Sequence, residues 1–357
     1  MTTRDARVQM NAIIRPPKWS DWRWQLRNMH RPGGEDLSDQ ESQFEVGVTP
    51  YFWDLVQRTG GVDGPLGRQV VPSELERSVA PFEHADPLGE DPHRVAPGLV
   101  RKYPDRVLLL VTDTCASYCR YCTRSRWVAG HTEPLGSDAL AAAIDWIKAH
   151  PEIRDVLVSG GDPLLLSNRR LSKLLDQLNE IDHLRLIRIG SRVPVFAPMR
   201  VDEALCEALR PRKIPLFMNV HINHHAELTE ASRQALRSLG AAGISLGGQT
   251  VLLRGVNDDI DSLRETMYRM LQCGVRPYYL FHCDPVRGSA HLRTSVDKGL
   301  ELMKELVGHV SGMAVPKYCI DLKGAGKVPL WPDYVVDADE QSWTFRGYGG
   351  VVQRYPR

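Results

Sequence analysis

Residues 107–126 read VLLLVTDTCASYCRYCTRSR, and this stretch decides the fold. It opens with an apolar run that is short enough to be a buried strand. Three cysteines, Cys115, Cys119 and Cys122, follow that run. Thiolates are soft ligands suited to iron–sulfur clusters, and three of them leave one iron of a [4Fe–4S] cluster without a protein ligand. The stretch therefore predicts a buried strand followed by a loop that holds a cluster with one open iron.

A structural zinc site is the main alternative for these cysteines, and three unrelated buried thiols are another. Zinc sites usually combine paired C-x2-C or Cys/His sets. Only Cys119 and Cys122 have that spacing in this chain. The C-x3-C-x2-C spacing instead matches the signature of radical S-adenosylmethionine (SAM) enzymes, which favours the cluster. The remaining cysteines form no second pair; they are Cys206, Cys273, Cys283 and Cys319.

Composition restricts the class of protein. The 357 residues can bury a large core, and a formal net charge of +1 gives no electrostatic footprint for nucleic acid or an anionic membrane. The start of the chain lacks the apolar stretch of a signal peptide, and no apolar run approaches membrane-spanning length. Seven cysteines, an odd number with three clustered, argue against a disulfide framework. These features predict a soluble cytoplasmic enzyme with no nucleic-acid or membrane partner.

From residue 107 onward, short apolar runs alternate with longer amphipathic segments, which predicts βαβ units and a parallel sheet. One amphipathic segment predicts a helix over 137–149 with Ser137 as its N-cap. About six such units favour an α/β fold of the partial (β/α)6-type TIM barrel over an open doubly wound sheet. The candidate strands are 107–112, 155–158, 185–190, 215–220, 244–246 and 277–281.

The sequence divides into three predicted regions. Residues 1–100 are rich in aromatic residues and broken by Pro and Gly, so we expect a mostly helical N-terminal region that packs on the barrel or on another subunit. Residues 101–300 form the predicted barrel core. Residues 301–357 form a C-terminal segment.

Several candidate site residues follow candidate strands, where the chemistry of such barrels takes place. The three cysteines, the pair Gly160–Gly161 and Asp284 are placed in this way, so we expect them to meet at one face. In the run SGGD, from Ser159 to Asp162, paired glycines let the backbone approach a ligand closely. An ordinary strand-to-helix turn is the alternative interpretation of that run.

The run DLKGAGK ends at Lys327, after a glycine-containing loop. A phosphate-binding P-loop is excluded, because that motif requires Gly at Asp321 and Ser or Thr at Val328. Lys327 is either a Schiff-base lysine for pyridoxal 5′-phosphate (PLP) or a solvated surface lysine. A basic cluster is a candidate for the cofactor phosphate, with a solvated turn as the alternative; it consists of Arg101, Lys102 and Arg106.

Together these motifs resemble the lysine 2,3-aminomutase family. The segments CASYCRYCTRSR, DVLVSGGDPLLLS, IRIGSRVPV, HINHHAELTE, LGGQTVLLRGVND, VRPYYLFHCD and AHLRTSVDKGLEL occur in the family's order and approximate spacing. The N-terminal half agrees through WSDWRWQLRN, VTPYFWDLV, DPLGEDP and PGLVRKYPDRVLLLVTD. The resemblance covers nearly the whole chain. It implies a radical SAM barrel and an isomerase that moves the α-amino group of an amino acid to the β-carbon.

The resemblance also implies cofactors and partners. The cofactors are a [4Fe–4S] cluster, SAM and PLP, and the partners are an external electron donor of the flavodoxin or ferredoxin type and further copies of the chain in a homo-oligomer. By position, Lys327 is the catalytic lysine that binds PLP, and Lys102 and Arg106 contact its phosphate. The implied cluster ligands are Cys115, Cys119 and Cys122. The implied SAM contacts are Tyr121, Ser159, Gly160, Gly161, Asp162, His221 and Gln249.

The implied substrate is a small amino acid molecule. Arg124 corresponds to the arginine that pairs with its carboxylate, and Asp284 and Asp321 correspond to the acidic pair that binds a side-chain ammonium. Because both members of the pair are acidic, a substrate with a basic side chain is favoured. The leading hypothesis is a lysine 2,3-aminomutase and the second is an arginine 2,3-aminomutase. The third is the related enzyme that acts on lysine for later attachment to elongation factor P. A radical SAM enzyme without PLP and a non-catalytic Fe–S or zinc-binding protein are the alternatives from other classes.

The sequence departs from the family pattern at several positions. Lys102 is an arginine in the family, the loop 321–327 is one residue shorter, and Phe281 and His282 replace residues beside the substrate aspartate. The C-terminal cysteines of the family's structural zinc site are absent, and Asp259 stands where a further zinc cysteine would be. We therefore predict no zinc and a different or weaker oligomer contact.

Overall fold

The computed structural model describes residues 18–32, 44–128 and 136–357. Its main element is a ten-stranded sheet in which the spatial order of the strands follows the chain. The strands of this sheet are β1 (Arg94–Ala96), β2 (Leu99–Tyr103), β3 (Arg106–Thr112), β4 (Asp155–Gly160), β5 (Leu186–Ser191), β6 (Leu216–His221), β7 (Ser245–Leu252), β8 (Arg276–His282), β9 (Lys317–Leu322) and β10 (Gly326–Pro329).

The predicted α/β partial barrel is confirmed. All six candidate strands are present as β3 to β8, and each pairs in parallel with the next. The prediction missed β9, a seventh parallel strand that pairs with β8. Antiparallel strands flank this core, β1 and β2 at one end and β10 at the other. Because β1 and β10 do not pair within the described residues, the barrel has an open side between them.

Helices connect the parallel strands. The α-helices are α1 (Trp22–Arg27), α2 (Pro50–Arg58), α3 (Gly67–Val70), α4 (Ser137–Lys148), α5 (Asn168–Asn179), α6 (Val193–Phe196), α7 (Glu203–Leu209), α8 (Glu230–Ala241), α9 (Ile260–Gln272) and α10 (Val296–Leu306). Short 3₁₀ turns cover Gly61–Asp63, Glu74–Arg77, Asp91–His93, Pro163–Leu165, Pro198–Arg200, His225–Glu227, Ala290–Leu292, Gly312–Ala314 and Tyr348–Gly350.

Helix α5 shows why these segments form helices that pack on the sheet. It buries Leu171, Leu174, Leu175 and Leu178, which recur at the spacing of one helical face. The side chain of Ser167 caps its first turn by accepting a hydrogen bond from the Arg170 amide. Burial of an apolar side chain contributes roughly 1.5–3 kcal/mol, so this single leucine face outweighs the weak intrinsic stability of a short helix.

The predicted N-cap of α4 is wrong by one residue. Gly136 occupies the N-cap position with an extended backbone, and Ser137 is the first helical residue. The Ser137 hydroxyl donates to the carboxylate of Asp138 at 3.1 Å and makes no capping hydrogen bond. A glycine is itself an acceptable N-cap, so the helix begins one residue earlier than the serine indicates.

The N-terminal region packs on the barrel where it is described; residues 1–17 and 33–43 of the predicted helical region lie outside the described residues. The Phe52 ring of α2 lies edge-on to Phe196, with centroids 4.6 Å apart. The hydroxyl of Thr49 donates to the Phe196 carbonyl at 2.6 Å. The predicted regional boundaries at residues 100 and 300 stay predictions; these residues lie inside β2 and α10.

The C-terminal segment ends in a separate three-stranded antiparallel sheet made of β11 (Val335–Ala338), β12 (Ser342–Arg346) and β13 (Val352–Pro356). Several of its large apolar side chains are exposed, including Val336, Phe345 and Tyr355. Helices that combine the length and the apolar character needed to cross a membrane are absent from the described part of the chain.

Candidate active site

One cavity of about 520 Å³ is lined by every residue predicted for the site except Arg101, which does not line it and instead pairs with Glu152 at 2.9 Å. It lies at the carboxyl ends of the parallel strands, so the expected convergence on one face is correct. The predicted residues that line it are Lys102, Arg106, Cys115, Cys119, Tyr121, Cys122, Arg124, Ser159, Gly160, Gly161, Asp162, His221, Gln249, Asp284, Asp321 and Lys327.

The cysteine loop lies directly after β3. The amide of Cys122 donates to the Cys119 carbonyl at 3.0 Å, which folds the loop back on itself. Burial raises the pKa of the Cys122 thiol to about 11, and the nearby Cys119 sulfur acts in the same direction. A thiol whose pKa is raised in this way becomes a thiolate only when a cation compensates it, so the cysteine loop fits a positively charged iron centre.

The three cysteines of the loop could each bind a different iron of one cluster. Within residues 18–32, 44–128 and 136–357, no three Cys, His, Asp or Glu side chains are set closely enough to hold one metal ion. In a [4Fe–4S] cluster each thiolate binds a different iron, so its cysteines are spread around the cluster rather than gathered on one point. All seven cysteines are free of disulfide bonds.

The SGGD loop packs against the start of the cysteine loop. A Cβ atom on Gly160 would lie 2.3 Å from the Thr112 carbonyl oxygen, and one on Gly161 would lie 2.3 Å from that of Thr114. Gly160 also has a φ of +121°, which side chains rarely adopt. The amides of Gly161 and Asp162 donate to the Thr112 and Thr114 carbonyls at 2.6 and 2.8 Å. The glycine pair therefore allows close contact between two loops that both line the cavity.

Asp162 links the SGGD loop to the next strand. Its carboxylate accepts hydrogen bonds from the Ser191 hydroxyl at 2.8 Å and from the Arg192 and Val193 amides at 2.7 and 3.0 Å. Burial raises its pKa, although the hydrogen bonds from Arg192 and Ser191 oppose the shift. The carboxylate is therefore engaged by the protein itself, and it fixes the ends of β4 and β5 relative to each other.

A buried polar network that sequence reasoning missed surrounds Tyr121. Its hydroxyl lies 3.1 Å from His221 Nε2 and accepts from Asn223 Nδ2 at 2.6 Å and from Arg192 Nη1 at 2.7 Å. Burial lowers the pKa of His221 well below its usual range, and the Arg192 charge lowers it further, so the imidazole is neutral. The same guanidinium group donates to Cys119 Sγ at 2.9 Å and pairs with Glu227 at 3.1 Å.

A carboxylate and two lysines meet at the open side of the barrel. Lys102 Nζ of β2 lies 2.7 Å from Asp321 Oδ1 of β9, and Lys327 Nζ of β10 bonds to Asp321 Oδ2. Burial alone would raise the pKa of Asp321, but Lys327 and Lys102 outweigh it and lower the pKa. Lys327 Nζ also lies 5.4 Å from the centre of the Phe281 ring. The set offers an amine and a second cation, which fits the aldehyde and phosphate of PLP.

The hairpin that carries Lys327 is anchored on β2. The Lys327 amide donates to the Tyr103 hydroxyl at 3.0 Å. Gly326 lies against the same ring with a φ of +79°, and a Cβ there would be 2.7 Å from the Tyr103 hydroxyl oxygen. The Arg106 guanidinium also stacks on Tyr103, at 4.1 Å from the ring centre. These contacts place Lys327 and Arg106 around one tyrosine.

Asp284 differs from Asp321 in its surroundings. Burial raises its pKa to about 7, and repulsion by Asp321 adds to the shift, while Lys327 and Lys102 oppose it. No hydrogen bond to its carboxylate is present from any described residue. Nearby cations compensate its charge only in part, and none in the described part of the chain pairs with it directly, which is the condition of a carboxylate that can bind a cationic ligand.

Arg124 is paired with a residue that the sequence did not single out. Its Nη2 and Nε donate to the two carboxylate oxygens of Glu90 at 2.9 and 3.3 Å. Glu90 lies in the segment DPLGEDP and lines the same cavity. An acidic residue in an irregular loop has no periodic signal, so only its place in that segment could have marked it.

The fold, the cysteine loop and the cavity define a radical SAM enzyme. Residues 109–267 match the sequence profile of the Radical SAM superfamily, and residues 303–357 match the profile described as Lysine-2,3-aminomutase. Because relatives with this name align over nearly the whole chain, the protein belongs to the lysine 2,3-aminomutase family. Family membership confirms an aminomutase, an isomerase, and its three cofactors: a [4Fe–4S] cluster, SAM and PLP.

Three relatives show the extent of the similarity. The L-lysine 2,3-aminomutase of Fusobacterium nucleatum is 37% identical, over 99% of this chain and 86% of that protein. That of Clostridium subterminale is 39% identical, over 98% and 87%. The glutamate 2,3-aminomutase of Clostridioides difficile is 36% identical, over 94% and 82%. Overall sequence identity therefore does not distinguish an enzyme for a basic substrate from one for an acidic substrate. The choice between these substrates depends on the residues that line the cavity.

Proposed function

We propose that this enzyme moves the α-amino group of a basic L-amino acid, L-lysine, to its β-carbon. One observation carries the choice of substrate: Asp284 and Asp321 line the same cavity as Lys327 and Arg124. Such a cavity offers an amine for the cofactor, a guanidinium for a carboxylate and two carboxylates for a side-chain cation. An acidic substrate side chain would meet two like charges there, which is unfavourable in a buried place.

The cysteines and the adjacent loops form the proposed radical-generating half of the cavity. Cys115, Cys119 and Cys122 would hold the cluster, and its open iron would bind SAM. SAM would lie between the SGGD loop and the ends of β6 and β7, near Tyr121, Ser159, Gly160, Gly161, Asp162, His221 and Gln249. When bound, the cluster and SAM supply a carbon-centred radical that removes a hydrogen atom from the substrate. His221 is neutral, so it would add no positive charge to a site for the cationic SAM.

The open side of the barrel forms the proposed PLP half. Lys327 would bind the cofactor, and Lys102 and Arg106 would bind its phosphate. Without PLP, both lysines are bonded to Asp321. If a phosphate engaged Lys102 and the cofactor engaged Lys327, Asp321 would lose these two cations as partners. Its carboxylate would then be available, together with Asp284, for the ammonium group of the substrate.

Arg124 would hold the substrate carboxylate at the opposite end of the substrate. A guanidinium binds a carboxylate through two parallel hydrogen bonds, which fixes direction as well as charge. With its carboxylate on Arg124 and its side-chain ammonium on the aspartates, lysine is held at both ends. The carbon atoms between these ends are then fixed in the cavity near the proposed SAM site.

We also infer the cellular setting. One-electron reduction of the cluster requires an electron from outside the site, so we infer an external donor of the flavodoxin or ferredoxin type. Seven free cysteines and an oxidisable cluster support a reducing cytoplasm. The exposed apolar side chains of the C-terminal sheet, such as Val336, Phe345 and Tyr355, support a contact between copies in a homo-oligomer.

The test of this function is a comparison of substrates. Iron- and PLP-reconstituted enzyme is supplied anaerobically with SAM and a reductant, and separately with L-lysine, L-arginine or L-glutamate. The expected result is the highest kcat/KM for lysine and no reaction of glutamate above background. Faster reaction of arginine would support the acidic pocket but identify arginine as the substrate. Preferential reaction of glutamate would overturn the proposal.

A further inference from the structure

We propose that Glu90 is a positioning residue for substrate recognition. Its carboxylate holds the Arg124 guanidinium by one edge, so that the other edge faces the carboxylate of the amino acid. This inference rests on the proposed function, because it takes Arg124 as the residue that binds that carboxylate. It adds a determinant that lies outside the predicted site residues.

The geometry of the pair leaves the second edge of Arg124 open. Glu90 takes the edge formed by Nε and Nη2, at 3.3 and 2.9 Å. A guanidinium has a second bidentate edge formed by Nη1 and Nη2. Arg124 Nη1 donates to no residue in the described ranges, and Arg124 lines the cavity. One arginine can therefore bind the protein carboxylate and the substrate carboxylate at the same time.

The ion pair between Glu90 and Arg124 involves a buried carboxylate. Glu90 is 4% exposed, and its side chain pairs with Arg124 at 2.9 Å. A buried carboxylate is costly unless a cation and hydrogen bonds compensate it. Arg124 provides both, and in return a long flexible side chain is held in one orientation. A positioned guanidinium loses less conformational freedom when the substrate binds.

The loop that carries Glu90 is fixed by a second arginine. The carboxylate of Asp86 accepts from the amides of Glu90 and Asp91 at 3.0 and 2.9 Å. Arg126 Nη2 pairs with Asp86 at 2.9 Å. Arg124 and Arg126 both follow the third cysteine, so the segment after the cluster loop binds the Glu90 loop at two points. The orientation of Arg124 is thus tied to the same loop that would hold the cluster.

A comparison of the binding of lysine and 1,5-diaminopentane distinguishes the positioning of Arg124 from a purely structural role of Glu90. The diamine keeps both amino groups of lysine and lacks only its carboxylate. Kd values for the two ligands are measured by calorimetry on reconstituted holoenzyme with SAM and without reductant, so that no turnover occurs. The variants are Glu90→Gln, which removes the charge and keeps the shape, and Asp91→Asn, a matched control whose carboxylate contacts Arg126 but not Arg124.

The expected result is a loss of affinity only for the ligand that carries a carboxylate, which is lysine. Glu90→Gln raises the Kd of lysine about tenfold and leaves that of the diamine within about twofold, because a misplaced guanidinium affects only the carboxylate contact. Asp91→Asn changes neither value by more than about twofold. Glu90→Asp, which keeps the charge on a shorter side chain, weakens lysine binding less than Glu90→Gln does. It also supplies the measurement if Glu90→Gln does not fold.

Other results overturn the inference. Unchanged or tighter binding of lysine by the Glu90 variants means that Glu90 does not position Arg124 for a ligand. Equal weakening of lysine and diamine means that Glu90 acts on the fold or on the PLP end of the cavity. Failure of the proposed function is recognised separately, because the wild-type enzyme would then not bind or convert lysine at all.

Discussion

Lys102 and Asp321 are 219 residues apart in sequence, and their Nζ and Oδ1 atoms lie 2.7 Å apart across the open side of the barrel. Lys327 bonds to the other oxygen of the same carboxylate. Asp321 thus joins β2 to the β9–β10 hairpin and brings together two lysines proposed to bind one cofactor. The same carboxylate stabilises the ligand-free fold and belongs to the proposed substrate site.

Asp321→Asn is expected to destabilise the PLP-free protein by about 1–3 kcal/mol, because two partly buried lysines lose their counter-ion. The lower part of that range reflects the partial exposure of Lys327, 36% for its side chain. Urea denaturation at pH 7 provides the measurement. Asp182→Asn, which removes an exposed partner of Lys213, is the control and is expected to have no measurable effect.

The contribution of Asp321 to the free energy of unfolding should also depend on pH, in a direction that follows from its lowered pKa. Because its pKa is lowered in the folded protein, its stabilisation is complete above the ordinary pKa of an aspartate and is lost as the pH falls through the lowered value. The stability difference between wild type and Asp321→Asn therefore narrows in acid. A difference that widens as the pH falls below 4 would contradict the pairing of Asp321 with the lysines.

Asp284→Asn is expected to have the opposite effect on stability. The folded pKa of Asp284 is about 7, well above that of an unfolded aspartate, so the ionised carboxylate destabilises the ligand-free protein at pH 8. The variant should be more stable than wild type by up to about 4 kcal/mol at pH 8, because one pKa unit corresponds to about 1.4 kcal/mol, and the difference should shrink as the pH falls from 7 towards 4. Paired urea titrations at these pH values measure it.

The same substitution should weaken substrate binding. Lysine binding to the holoenzyme should require an ionised Asp284, because the ammonium group pairs with a carboxylate. In Asp284→Asn, KM for lysine at pH 8 should increase at least about tenfold. Equal lysine kinetics in the two proteins would remove Asp284 from the substrate site.

Lys327→Ala should abolish turnover and PLP attachment without loss of the cluster. Only the lysine amine can form the covalent bond to the cofactor aldehyde, whereas the cysteine loop lies on another part of the cavity wall. The measurements are the absorbance of bound PLP, the iron content and the anaerobic turnover. Lys323→Ala is the matched control, since Lys323 is an exposed lysine in the same hairpin. Normal turnover by Lys327→Ala would make the PLP assignment wrong.

Gly160→Ala should destabilise the protein by at least about 2 kcal/mol, because the new Cβ would lie 2.3 Å from the Thr112 carbonyl at a φ of +121°. Gly240→Ala in α8 has open space around the new atom and should be neutral or slightly stabilising. Thermal unfolding of both variants makes the comparison. Equal Tm values would mean that the SGGD loop does not depend on the glycine.

The sequence was sufficient to predict six of the seven parallel strands, because apolar runs between turn residues mark buried strands directly. It failed for β9, in which Asp321 interrupts the apolar pattern next to the cavity. The charged residue proposed to bind substrate therefore also weakened the sequence signal for this strand. For α4, Ser137 indicated an N-cap that Gly136 provides, since both residue types are acceptable there.

The predicted site residues converge because they follow successive parallel strands, a relation that sequence order preserves. Pairings between distant segments could not be read in the same way. Nothing in the spacing links Lys102 to Asp321, or Glu90 to Arg124, because these contacts depend on how the barrel edge and the covering loop fold over the cavity. The network around Tyr121 was missed for the same reason.

The most direct test of the central claim follows the migrating nitrogen. L-lysine labelled with ¹⁵N at the α-amino group is incubated anaerobically with reconstituted enzyme, SAM and reductant, and the product is examined by NMR. The account predicts β-lysine with the label bonded to carbon 3 and an unlabelled side-chain amine. Cleavage of SAM with all label still on carbon 2 would contradict it.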